Sequence, residues 1–346
     1  RGAPRGARGG RGVSADAEAT GVEDAKAPTK ITAVLSREEI AELTRASDLR
    51  GALSLLTDWG IVAGAMALVA CFPHALTVLL ALALIGSRQL ALAVLTHECA
   101  HRSLFRTKGL HDLVGTWLCA APVWADLVRY REHHRRHHVH AGTEGDPDRG
   151  LVEAFPTSRA SLARKLLRDL VGWTGARRVL GLLAIDLAYV RYTASTFLGR
   201  AEPRPFGARL RHAARHLGPV LLTNGALLGL LWALGHPRLY LLWVGAWMTT
   251  YSLVLRLRAI AEHACTEWSP NPWRNTRTTR AGLLARLFLA PHHVNFHLEH
   301  HLLMTVPHYR LPELHRLLAE RGMLDARNTA PGYLAVLRRV TTIPAA

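Results

Sequence analysis

Acidic residues are scarce in this sequence: 26 Asp and Glu stand against 43 Lys and Arg in 346 residues, a net charge of +17 at pH 7. Cysteine is scarce too. Cys71, Cys99, Cys119 and Cys265 show no paired spacing, which excludes a disulfide framework and a CxxC zinc site and leaves reduced, mostly buried thiols. No Gly-x-Gly-x-x-Gly follows a strand pattern and the polar stretches are short, so no flavin or haem-binding domain is visible. Basic residues are not interleaved with exposed aromatics on a soluble module, which excludes a nucleic-acid reader.

What is present is hydrophobic sequence, 49% of the chain at a mean hydropathy of +0.08, beside 20% charged residues. The two must be segregated. Apolar residues concentrate at 53–72, 75–95, 217–234 and 239–257, each close to the ~20 residues that cross a bilayer, and these predict two transmembrane hairpins. Asp58 interrupts the first span, and Arg88 and Gln89 lie inside the second. Two readings stand for Arg88: it snorkels or faces the helix bundle, or it meets a polar group of a substrate.

Cations crowd the segment between the hairpins (Arg129, Arg131, Arg135, Arg136, Arg164, Lys165), whereas the hairpin tips at 72–74 and 235–238 are almost uncharged. The positive-inside rule therefore places that segment and both termini in the cytoplasm. Residues 1–30, rich in Arg, Gly, Ala and Pro without apolar periodicity, are expected to be disordered and carry no apolar core of a secretory signal. The main domain is expected over 31–335, opening with a capping box at Ser36-Arg-Glu-Glu39, and a C-terminal tail over 336–346. Residues 158–200 read as an amphipathic helix at the membrane surface.

Three histidine clusters follow the hairpins: His97-Glu-Cys-Ala-His101, His134-Arg-Arg-His137-His138 and His297-Leu-Glu-His300-His301. On a helix, positions i, i+3 and i+4 fall within an arc of about 100°, so each cluster presents its imidazoles on one face. With 20 His in the chain, HxxHH is expected by chance roughly 0.07 times, and it occurs twice. Neutral imidazole suits iron, zinc, copper and nickel, and eight imidazoles are too many for one ion, so two metals are implied. His97-Glu-Cys-Ala-His101 also matches the HExxH of zinc proteases, a reading that leaves the other two clusters unexplained. A membrane metal-binding or transport protein is a further alternative, although it calls for more ionisable groups inside the spans than Asp58 and Arg88.

From about Trp59 to Leu318 the sequence resembles the membrane fatty-acid desaturase and hydroxylase superfamily, whose pattern is HxxxH, HxxHH and HxxHH. Gly145-Asp-Pro-Asp148, Ala261-Glu-His263, Thr276-Arg-Thr-Thr279 and Val294-Asn-Phe-His297 add to the likeness. The resemblance implies an all-α integral-membrane protein, four transmembrane helices under a cytoplasmic helical cap that carries a histidine-rich di-metal site. It implies two non-haem iron ions, O2 as co-substrate, and electrons from a separate donor such as ferredoxin or rubredoxin with its reductase. Desaturation of a fatty-acyl or similar lipid chain is the activity implied; lipid or alkane hydroxylation, or carotenoid ketolation or hydroxylation, is the alternative on the same centre. His263 is implied as a ninth ligand. Glu98, Asp146, Asp148, Glu262 and Glu299 are candidate acceptors for ligand N–H groups, and each could equally be a cap or a surface charge. His133 is an alternative member of the second cluster, while His140, His292 and His293 are read as supporting or solvated.

Overall fold

A computed structural model describes residues 30–194 and 199–342. All of the expected disordered segment except Lys30 lies outside the described residues, as do positions 343–346 of the expected tail.

The ordered chain opens where the capping box predicts. Ser36 Oγ accepts from the Glu39 N–H and the Glu39 carboxylate accepts from the Ser36 N–H at 2.8 Å, starting α1 (Arg37–Leu43). Then come α2 (Asp48–Cys71), α3 (Ala75–His101), α4 (Lys108–Val114), α5 (Leu127–His140) and the short α6 (Arg149–Val152). The expected surface helix is two helices, α7 (Arg159–Leu170) and α8 (Trp173–Asp186), separated at Gly172, whose φ of +80° only glycine adopts without strain. Leu167, Leu170, Trp173 and Leu180 are exposed beside Arg164, Arg168 and Arg177, the pattern of a helix lying in a membrane interface. The remaining helices are α9 (Phe206–Ala233), α10 (Tyr240–Met248), α11 (Thr250–His263), α12 (Pro272–Asn275), α13 (Leu283–Phe288), α14 (His297–Leu302), α15 (Leu311–Glu320) and α16 (Tyr333–Arg339). Two short parallel strands, β1 (Thr278–Thr279) and β2 (Thr329–Ala330), tie the segment before α13 to the segment before α16.

Three helices among the described residues are long and apolar enough to cross a membrane: α2, α3 and α9. The stretch expected as a fourth crossing is divided between α10 and α11, because the chain leaves helical geometry at Thr249 (φ −109°, ψ −86°). The break is a packing feature. Thr250 Oγ1 donates to the Leu82 carbonyl at 2.6 Å, and a Cβ at Gly86 would sit 2.1 Å from Thr250 Oγ1, so only glycine lets α3 approach the break.

α3 is the spine: 61% of its apolar window is buried, against 28% for α2 and 11% for α9, which leaves α9 largely exposed. Asp58 is fully buried and pairs with Arg88 at 3.1 Å. Arg88 also donates to Ser87 Oγ and to the Leu287 carbonyl, so it faces the bundle, and Gln89 donates to the Trp243 carbonyl. Beyond the spans, a second core of Leu43, Trp273, Leu298, Leu311, Leu314 and Leu318 packs α1, α14 and α15 together. A third unites α7, α11 and α16 through Leu162, Ile260, Val336 and Val340, so helix and packing run through the 335/336 boundary expected for the tail.

Candidate metal centre

The three clusters come from three helices whose ends converge. His97 and His101 occupy the last turns of α3, His134, His137 and His138 lie along α5, and His297, His300 and His301 lie on α14. His263 ends α11. The helices bring all nine together in two groups: His97, His101, His134, His138 and His300, and His137, His263, His297 and His301. Within each group, one ring nitrogen per residue lies within 4.8 Å of the others.

The contacts inside the groups suit a metal better than hydrogen bonding. His138 Nε2 stands 3.0 Å from both His134 Nε2 and His300 Nε2, and His297 Nε2 stands 2.8 Å from His263 Nε2 and 3.1 Å from His301 Nε2. A neutral imidazole has one N–H, so three converging nitrogens cannot all be satisfied by one another. Metal–nitrogen bonds of ~2.1 Å at right angles place neighbouring nitrogens ~3.0 Å apart, whereas tetrahedral angles place them ~3.4 Å apart. Nε2 of His97 and Nε2 of His101 are buried without a hydrogen-bond partner, a deficit an ion would satisfy. The five-histidine group that includes His97 and His101 also exceeds the three ligands of a zinc protease.

Carboxylates and carbonyls behind the rings fix their tautomers. His137 Nδ1 meets Asp146 Oδ1 at 2.8 Å, and His263 Nδ1 donates to the Asn275 carbonyl at 3.0 Å, which leaves both Nε2 atoms free to face inward. Glu262, held by Arg258 at 2.6 Å, lies 3.5 Å from His297 Nδ1. Burial, reinforced by neighbouring imidazoles, holds His134, His138, His297, His300 and His301 well below the usual histidine range. Burial acts on His137 in the same direction, but Asp146, Asp148 and Glu262 outweigh it and raise its pKa.

The other candidates separate cleanly. His133 pairs with Asp148 at 2.8 Å outside both groups, and His292 pairs with Asp58. His140 and His293 belong to neither group. Glu98 lies 3.5 Å from His97 Nδ1 but accepts from Ser103 and the His308 N–H, and Glu299 turns away from the ligands to Thr278 and His315. Arg258 and Asn275 went unread in the sequence. Arg258 had a signal, its i,i+4 spacing to Glu262; the Asn275 carbonyl had none, since any residue supplies one. A cavity of about 220 Å³ opens beside His263, between Asp146, Phe155, Trp268 and Asn275.

Helices of membrane-crossing length and two adjacent all-histidine groups define a membrane protein with a candidate di-metal site. Residues 54–329 match the fatty acid desaturase family, and the chain belongs to that family of oxidoreductases. It is 26% identical over 310 residues to a dihydrorhizobitoxine desaturase of Bradyrhizobium elkanii, covering 86% of this chain and 81% of that one. It is 25% identical over 239 residues to the sn-1 oleoyl-lipid 12-desaturase of a Synechocystis strain (66% of this chain, 64% of that one). A Nostoc sn-1 acyl-lipid omega-3 desaturase (ferredoxin) is 24% identical over 248 residues, covering 65% of this chain and 63% of that one. The chain thus spans just under two thirds of these two lipid desaturases.

Proposed function

We propose that the protein removes one hydrogen from each of two adjacent saturated carbons of a fatty-acyl or similar lipid chain, consuming O2, two electrons and two protons and releasing two waters. The observation that carries this reading is the pair of all-histidine groups built on shared helices α5 and α14. Two iron ions would be held by His97, His101, His134, His138 and His300, and by His137, His263, His297 and His301. When bound, they supply the oxygen activation that no side chain can. Asp146 and Asn275 keep the protons of His137 and His263 on Nδ1, and the Arg258–Glu262 pair steadies His297. Six of the nine histidines are buried, which limits the access of water to the centre.

In the same reading α10 and α11 together make the fourth crossing, and the basic segment around α5 puts the centre on the cytoplasmic side. Electrons come from a separate carrier such as ferredoxin or rubredoxin with its reductase, a reading supported by the ferredoxin in the Nostoc relative's name. The test is expression in a host with mostly saturated lipids, followed by mass spectrometry of membrane lipid and of the soluble extract, with metal analysis of the purified protein. A product lighter by two hydrogens and about two irons per chain are expected. A product heavier by one oxygen, or stoichiometric zinc, would overturn the proposal.

A further inference from the structure

Between Thr279 and Asn295 the chain leaves the histidine-bearing cap and returns to it. The base of this excursion is closed by two hydrogen bonds, from the Thr279 N–H to the Asn295 carbonyl and from Asn295 Nδ2 to the Thr279 carbonyl, both 3.0 Å. Its far end touches the middle of α3: the Leu287 carbonyl accepts from Ser87 Oγ at 2.6 Å and from Arg88 at 2.7 Å. Higher up, Ala290 and Val294 pack on Val94. Ser87 precedes His97 by ten residues of continuous helix, about 15 Å of rise, so α13 sits that far along α3 from the first metal ligand. Ser87 and Arg88 lie inside the apolar window of this span.

The composition agrees with the depth. Residues 281–291 read Ala-Gly-Leu-Leu-Ala-Arg-Leu-Phe-Leu-Ala-Pro, with Arg286 as the single charge on a stem long enough to snorkel. Leu283 and Leu284 are 83% and 72% exposed. The charged groups at its contact with α2 and α3 are paired. Asp58 on α2 joins Arg88 at 3.1 Å and His292 Nε2 at 2.6 Å, so α2, α3 and the returning chain meet at one node around the fully buried Asp58. Leu56, two residues away on α2, is 65% exposed, so the span anchored at this node also presents leucine outward.

We infer that residues 280–294 form a re-entrant segment that dips into the hydrocarbon, with Leu283 and Leu284 against bilayer acyl chains and the Asp58–Arg88–His292 node as its anchor. Irregular backbone is tolerated at membrane depth where its polar groups are satisfied by protein, and here Ser87 and Arg88 satisfy the Leu287 carbonyl. The inference rests on the reading of α2 and α3 as membrane spans.

The test places a nitroxide at Leu284→Cys in the full chain, with Cys71 and Cys265 changed to Ser, in phosphatidylcholine nanodiscs. Collision with O2, which concentrates in lipid, is compared with collision with a water-soluble nickel chelate. Leu79→Cys on α3 and Arg135→Cys on α5 serve as references, Leu283→Cys is the second site should the first fail to fold, and retained metal content reports folding. O2 dominance at 284 matching that at 79 is expected. Nickel dominance at 284 with O2 dominance at 79 overturns the inference and leaves the spans intact; nickel dominance at both overturns both. Spin–spin broadening at 284 would put a second copy on this face and overturn lipid occupancy.

Discussion

Asp146 touches no candidate metal position, yet it decides which nitrogen of His137 is available. With Asp146→Asn the hydrogen bond to Nδ1 can persist while the charge is lost, so affinity for metal in the group of His137, His263, His297 and His301 should fall about 10–100-fold. The other group should hold its ion. Equilibrium dialysis against ferrous iron checks this, and unchanged affinity at both groups would remove Asp146 from the argument. His263 is tested by a pair of variants: His263→Ala should lower iron content sharply, and His263→Asn should lower it less, because an amide oxygen is a usable ligand. Equal, near-wild-type content in both would mean that His263 only packs. Protonation adds a third expectation for the metal-free protein. Folding lowers the pKa of His134, His138, His297, His300 and His301, so the unfolded chain takes up protons near 6.5 that the folded chain refuses. These groups therefore contribute stability that is present above pH ~6.5 and lost below it, with His137 opposing, and thermal melts between pH 7.5 and 5.5 should fall accordingly.

At the scale of elements, Arg277 stands out because it is fully buried without a carboxylate. Its guanidinium donates to the carbonyls of Ala261 and Ala264 at the end of α11, where His263 sits. Cations favour helix C-termini, so Arg277→Met should loosen that end and cost the ion of His263's group before it costs the fold, with Arg277→Lys partly restoring it. Metal per chain set beside circular dichroism separates the two losses. The histidine clusters were legible in the sequence because i, i+3, i+4 is a local relation that any helix enforces. Nonlocal relations were not. Thr249 ends α10 because Thr250 bonds across to Leu82 beside Gly86, and no hydropathy window records that contact. Asp58 looked like a flaw in its span until Arg88 and His292, 30 and 234 residues away, supplied its partners. Glu299, sitting between two ligands in sequence, faces the other side of α14.

At the scale of the whole molecule, the net charge of +17 bears on the proposed electron donor. Arg135 and Arg136 are exposed on α5, and Arg135 is partly neutralised by Glu132 at 2.9 Å. Docking of an acidic electron carrier should weaken as salt rises, and Arg136→Glu should raise the KM for the donor several-fold with kcat unchanged. Steady-state kinetics at limiting donor, between 0.05 and 0.5 M salt, checks it; a flat response would locate docking elsewhere.

The two histidine groups do not belong to separate parts of the fold. α5 gives His134 and His138 to one and His137 to the other, and α14 gives His300 to one and His297 and His301 to the other. The first ion to arrive bears the entropic cost of immobilising both helices, and three ligands of the remaining group, whichever it is, are on them. The second ion meets a site already organised, so loading is cooperative without any change of shape. At one equivalent of iron, native mass spectrometry should find empty and doubly loaded chains in preference to singly loaded ones.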